Sequence, residues 1–148
     1  MKNIIVGQSG GPTAVINGSL YGVVTEGLAH PDKISHVYGM INGIEGFLND
    51  RIMDINALAE NRELEFVRTT PGAYLGSCRY KLPEDLTDPV YPELFRRFEE
   101  KNIGYFFYIG GNDSMDTVSK LSRYAAGTYS KIRFICVPKT IDNDLVET

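Results

Sequence analysis

The chain has 148 residues, a net charge of −4, 43% hydrophobic residues and 23% charged residues. That is the length of one ordinary domain with enough apolar content for a core, which excludes a disordered chain. Lys and Arg are scattered under a negative net charge, so the basic patch that a nucleic-acid backbone selects is not expected. No apolar run approaches the ~18 residues of a membrane span. The start, MKNIIVGQSGGP, turns glycine-rich too soon for a signal peptide, so the expected compartment is the cytoplasm. The two cysteines, Cys78 and Cys136, lack CxxC spacing, and neither a metal site nor a disulfide scaffold is expected of them. An acidic protein can still bind small phosphorylated ligands through local amides, one or two placed cations and Mg2+.

Along the chain, NIIVG at 3–7 is a short apolar run and predicts a buried strand. QSGGPT follows as a turn, with Pro12 near a helix start. Ile16, Leu20, Val23 or Val24, and Leu28 then recur at helical spacing. ISHVYGM at 34–40 alternates as a second strand. INGIEGFLND reads as a loop with a short element, and 56–65 is a helix candidate. TTPGAYLGSCRY at 69–80 is a loop of small residues, and EDLTDPVYP is a connection with Pro89 and Pro92 as breakers. From 92 to 102, Leu94, Phe95 and Phe98 give a helix an apolar face, while RRFEEK predicts its solvated side. GYFFYIG at 104–110 predicts a strand apolar on both faces. Met115, Val118, Leu121, Ser122 and Ala125 predict one face of the next helix, with Gly127 as its C-cap. Ser114 and Thr117 are candidate caps at its start. KIRFICVP at 131–138 is the last strand, with Cys136 as a buried apolar residue. His30 and His36 read as isolated surface or structural residues.

Alternating strands and helices predict an α/β fold with a doubly wound, mainly parallel sheet, a Rossmann-like three-layer sandwich. In such sheets the loops at the carboxyl ends of the strands form the ligand crevice. Three loops fall there, after the strands at 3–7, 104–110 and 131–137.

The first loop carries Gly10 and Gly11 and opens a helix, whose N-terminus offers unpaired amides and partial positive charge. A tight strand-to-helix turn without a ligand would look the same. A second diglycine, Gly110–Gly111, in the equivalent place favours phosphate binding. Neither loop matches GxxxxGK[ST] or GxGxxG. The third loop, PKTIDND, puts a lysine, a threonine and two carboxylates directly after a buried strand. Asp142 and Asp144 point the same way if the backbone is extended, an arrangement suited to deprotonating a hydroxyl and holding Mg2+. A polar capping turn is the alternative reading of the same residues.

SGGP with Asn17, GAYLGSCR, IGGNDS and PKTIDND, in this order, resemble the phosphofructokinases, and most closely the branch that uses inorganic pyrophosphate. The resemblance implies the phosphoryl-donor-binding lobe of a larger two-lobed enzyme, with residues 1–148 an N-terminal portion. The implied reaction is reversible phosphoryl transfer from pyrophosphate to fructose 6-phosphate, a glycolytic step that needs Mg2+. Asp142 would take the proton from the sugar 1-hydroxyl. Thr140 and Asp144 would help hold the sugar and the transferring group. Gly10, Gly11, Gly110, Gly111 and Ser114 would lie at the donor phosphates. Arg79 would bridge donor and acceptor phosphates. The full-length protein is expected to be a homo-oligomer, and the isolated 148 residues to be inactive.

Donor choice turns on Asp113 and Lys139. ATP-using members usually carry glycine at the first position and often at the second. A carboxylate about 4 Å from a nucleotide α-phosphate repels it by roughly 4 kcal/mol at an effective dielectric of 20, close to a thousandfold in affinity. Lys139 is a flexible point cation that can pair with pyrophosphate oxygens. The ATP-dependent enzyme is one alternative, and a phosphate-binding module without catalysis is another. One position departs from the pattern. Asn112 stands where the family's Mg2+-holding Asp is expected, and it offers the metal a weaker, neutral oxygen. The first loop also departs, with GGPTAVIN in place of the commoner GGDAPGMN.

Overall fold

The structure is a computed structural model, and it describes residues 2–8, 14–30, 32–56 and 81–138, the side chains of 14–19, 21, 112, 113 and 138 excepted. The elements are β1 (Lys2–Gln8), α1 (Ala14–Leu28), β2 (Ile34–Met40), α2 (Gly43–Leu48) and β3 (Ile52–Asp54). Then follow α3 (Val90–Glu100), β4 (Ile103–Gly110), α4 (Asn112–Gly127) and β5 (Arg133–Pro138). The sheet runs β3-β2-β1-β4-β5. β2, β1, β4 and β5 are parallel, and only β3 runs antiparallel, against β2. This is the expected doubly wound sheet with an antiparallel edge strand that the sequence pattern did not predict.

Alternation along β1 and β4 builds two cores. On one face Ile5, Phe106 and Tyr108 pack with Phe134 and Cys136 against α2, α3 and α4. Aromatic rings dominate there, with Phe98 in edge contact with Phe106 at 5.6 Å and stacked on Phe47 at 5.2 Å. Aromatic pairs at such spacings add to the area they bury. On the other face Ile4, Val6 and Ile109 pack against Leu20 and Val24 of α1, and Tyr105 and Phe107 lie half-buried beside them. Gly46 shows how tightly α2 seats itself. A Cβ there would stand 1.5 Å from the Ile41 carbonyl oxygen, so no larger residue fits without moving backbone.

Three local expectations are corrected. Pro92 does not precede α3 but lies in its first turn, where a missing N–H costs nothing. The Asp88 carboxylate instead accepts the Val90 amide at 2.9 Å at the helix start. The buried residues of α4 are Ser114, Thr117, Val118, Lys120, Leu121 and Ala125, whereas Met115 is 53% exposed and Ser122 is exposed. Gly127 is a helical residue and not the C-cap. The cap is Thr128, and Tyr129 takes the left-handed position at φ 61°, with the Ser130 amide returning to the Ala125 carbonyl at 2.9 Å. That bond closes a Schellman turn without glycine. Within RRFEEK, Arg96, Glu99 and Glu100 are exposed as expected, with Arg96 paired to Glu93 and Glu100, whereas Phe98 is fully buried. Arg97 is largely covered and pairs with Glu93 and Asp50. Both histidines are surface or structural residues as expected, His30 lying 3.0 Å from Glu26 and His36 3.2 Å from Asp54. The helix candidate at 56–65 lies outside the described residues beyond Asn56.

Candidate functional site

The site follows from the winding of the sheet. β1 leads through α1 to β2 on one side, and β4 leads through α4 to β5 on the other. β1 and β4 are neighbours, so the winding reverses between them, and ligands of open α/β sheets bind at such a reversal. Register fixes which residues meet there. Gln8 pairs with Ile109, and Gly110 pairs with Pro138. The chain therefore leaves β1, β4 and β5 at one edge of the sheet, and each departure carries one of the three loops singled out in the sequence.

At the centre is the turn from β4 into α4. Gly110 ends the strand and is buried. Gly111 is the N-cap of α4, with φ −94° and ψ −143°. A Cβ built on Gly111 would meet none of the described residues within 4 Å, so among them the space beside this backbone is open. The amides of Ser114 and Met115 both return to the Gly111 carbonyl, at 3.1 and 3.2 Å. The amides of Asn112 and Asp113 precede that first bond and have no acceptor within the helix. They point toward the sheet edge together with the positive end of the helix dipole, the arrangement that binds anions. Ser114, in the first turn of α4, is fully buried. Asn112 and Asp113 occupy the first two helical positions. The start of α1 at Ala14 brings a second helix N-terminus to the same edge, with no acidic residue in its first turn.

Among the expected site residues, Gly110, Gly111, Asn112, Asp113 and Ser114 are thus brought together. Gly10, Gly11, Arg79, Lys139, Thr140, Asp142 and Asp144 lie outside the described residues, as does Cys78. Cys136, two residues before the end of β5, is half-buried, and burial raises its thiol pKa above the ordinary 9.0. Among the described residues no group of three His, Cys, Asp or Glu side chains is placed to hold a metal.

One buried charge was not singled out in the sequence. Lys120 on α4 is 2% exposed. Its ammonium donates to the Leu82 carbonyl at 2.7 Å and lies 2.8 Å from Asp116 and 3.1 Å from Glu84. Burial opposes its charge most strongly, yet the hydrogen bonds to Asp116 and Glu84 outweigh burial and hold its pKa above the ordinary value. The only sequence signal was the i,i+4 spacing of Asp116 and Lys120, which also occurs on solvated helix faces.

The family model for phosphofructokinase matches residues 3–148. The chain belongs to the phosphofructokinase family. It is 44% identical over 144 residues to the pyrophosphate–fructose 6-phosphate 1-phosphotransferase of Rhodospirillum rubrum, covering 97% of this chain and 34% of that protein. The crystal structure of a pyrophosphate-dependent phosphofructokinase from Marinobacter aquaeolei superposes with a TM-score of 0.84 at 43% identity, over 97% of this chain and 34% of that one. An ATP-dependent 6-phosphofructokinase from Glaesserella parasuis is more distant, at 30% identity over 148 residues, all of this chain and 42% of that protein. This phosphofructokinase chain therefore spans about a third of the length of the pyrophosphate-dependent relatives it matches.

Proposed function

We propose that residues 1–148 are the phosphoryl-donor-binding lobe of an enzyme that transfers a phosphoryl group from pyrophosphate to fructose 6-phosphate. The observation that carries this reading is the turn Gly110–Asp113 at the winding reversal. Among the described residues it offers open space at Gly111, two amides with no acceptor within the helix and, in the same first helical turn, the carboxylate-bearing residue Asp113. The cradle suits a small phosphate donor, and Asp113 repels the further phosphate of a nucleotide. The nearer likeness to pyrophosphate-dependent than to ATP-dependent relatives supports the same donor.

In this mechanism the sugar 1-hydroxyl oxygen attacks the nearer phosphorus of pyrophosphate, and its proton passes to the Asp142 carboxylate. The bridging P–O bond breaks and orthophosphate leaves. Gly10, Gly11, Gly110 and Gly111 hold the donor through backbone amides, with Ser114 buttressing the second turn. Lys139 pairs with donor oxygens, Arg79 neutralises charge between donor and acceptor, and Thr140 and Asp144 orient the sugar. Asn112 would contribute an oxygen to Mg2+, which when bound neutralises phosphate charge. Little covalent chemistry falls to the protein, so positioning and charge neutralisation supply most of the rate. The test is Asp142→Asn in the full-length protein. Transfer should fall by roughly 10²–10⁴-fold, while calorimetry still detects pyrophosphate binding. Retained turnover would overturn the assignment.

A further inference from the structure

The two faces of the sheet are covered unequally. On the face that carries α2, α3 and α4, Phe106 and Tyr108 of β4 are fully buried. The opposite face is closed over β1, where Ile4 and Val6 lie under α1 with Leu20 and Val24. Toward β5 that cover runs out. Tyr105 and Phe107 of β4 are half-buried, and by register Phe107 stands beside Ile135, which is 37% exposed. Ile109 and the half-buried Val137 continue the strip. Between α1 and β4 lies an apolar groove of about 420 Å³, walled by Ile4, Val23, Ile34, Tyr105 and Phe107. Among the described residues the far side of β5 pairs with no strand.

The winding accounts for the difference. Right-handed crossovers put α1 on one face as the chain moves from β1 to β2, and α4 on the other as it moves from β4 to β5. Neither crossover lays a helix across β5 on the α1 face. Parallel strands are nonetheless found with both faces covered, and a contiguous apolar strip is the mark of a surface that something covers. We infer that the strip at Tyr105, Phe107, Ile135 and Val137 is closed by the part of the protein that follows Thr148, through an apolar helix face seated along Phe107 and Ile135. Two observations favour this occupant over a second copy of the chain. Roughly two thirds of the length of the pyrophosphate-dependent relatives lies outside the region that this chain matches. β5 also ends at Pro138, beside the strip, so the residues that follow are tethered there covalently and reach it at high effective concentration. The inference rests on the reading that residues 1–148 are one lobe of a longer enzyme.

The experiment uses the full-length protein with the photo-crosslinking residue p-benzoylphenylalanine in place of Ile135 and, separately, of Tyr105. After irradiation, peptide mass spectrometry should map the cross-link from position 135 to residues beyond Thr148. The product should run at the mass of a single chain in denaturing electrophoresis. A product of double that mass would assign the strip to a second copy and overturn the inference. Cross-links confined to residues 1–148, or none from either position, would overturn it equally. Should the variant at 135 fail to fold, the variant at 105, which keeps an aromatic ring, decides by the same criteria. Ile135→Thr gives an independent readout, because it keeps the β-branch and adds a hydroxyl. If the strip is covered, that hydroxyl is buried without a partner, and the melting temperature should fall by at least about 3 °C. Lys131→Thr, at an exposed position just before β5, should shift it by less than about 1 °C. Shifts of equal size in the two variants would overturn the inference. A protein that prefers ATP would instead overturn the donor assignment, and the cross-links would still decide what covers the strip.

Discussion

Replacing Gly111 by Ala separates folding from ligand binding at one atom. The added methyl meets none of the described residues within 4 Å, and φ at this position, −94°, is outside the left-handed region. The expected folding cost is the poorer N-cap preference of Ala, about 1 kcal/mol or less, a fall in melting temperature of only a few degrees. The ligand sees a different surface. A phosphate hydrogen-bonded to the Asn112 and Asp113 amides must approach the Gly111 backbone closely, and a methyl there pushes it back. Losing one or two charge-assisted hydrogen bonds at ~1.5–3 kcal/mol each gives about 2–5 kcal/mol, or roughly 30- to 5,000-fold in pyrophosphate affinity. Calorimetric titration of pyrophosphate in the presence of Mg2+, alongside a melting curve, checks both halves. An unchanged affinity with an unchanged melting temperature would refute the placement of the donor at this turn.

Other consequences are measurable. Asp113→Gly combined with Lys139→Gly should admit ATP as donor, with a gain in ATP affinity of up to about a thousandfold; an unaltered donor preference in steady-state assays would count against the charge-exclusion argument. Gly46→Ala should destabilise strongly, because its Cβ would collide with the Ile41 carbonyl, and chemical denaturation would show it. Phe98→Ala removes a fully buried ring from the aromatic core and should cost about 3–5 kcal/mol by the same measurement. Cys136 titrates above its ordinary value because burial disfavours the thiolate. A raised folded-state pKa contributes stability that is complete below about pH 9 and is lost as pH rises through the folded value. Its alkylation by iodoacetamide near pH 8.5 should accordingly lag that of the denatured chain.

The sheet was legible because its central parallel strands, β1 and β4, are covered on both faces and read as apolar runs. NIIVG, ISHVYGM, GYFFYIG and KIRFICVP each fell on a strand. β3 was not legible. It has three residues, lies at the edge and carries no alternation long enough to show a period. The end of α4 misled because Gly127 is the usual stopping residue, whereas the turn is closed by the Ser130 amide and tolerates Tyr129 in the left-handed conformation. At the site, the diglycine before α4 was readable from its position after an apolar run. What could not be read was the open space beside Gly111 and the enclosure of Ser114, since both depend on how β4 and α4 pack. Lys120 was invisible for a related reason. Its i,i+4 carboxylate is ordinary in sequence, and only the approach of Leu82 and Glu84 from another part of the chain makes the ammonium buried and fully paired.

The central claim concerns the donor, and the most direct measurement is kcat/KM for pyrophosphate and for ATP, with fructose 6-phosphate as acceptor, in the full-length protein. A preference for pyrophosphate of about a hundredfold or more is the predicted result, within the thousandfold allowed by the Asp113 repulsion. Equal use of the two donors, or a preference for ATP, would contradict it.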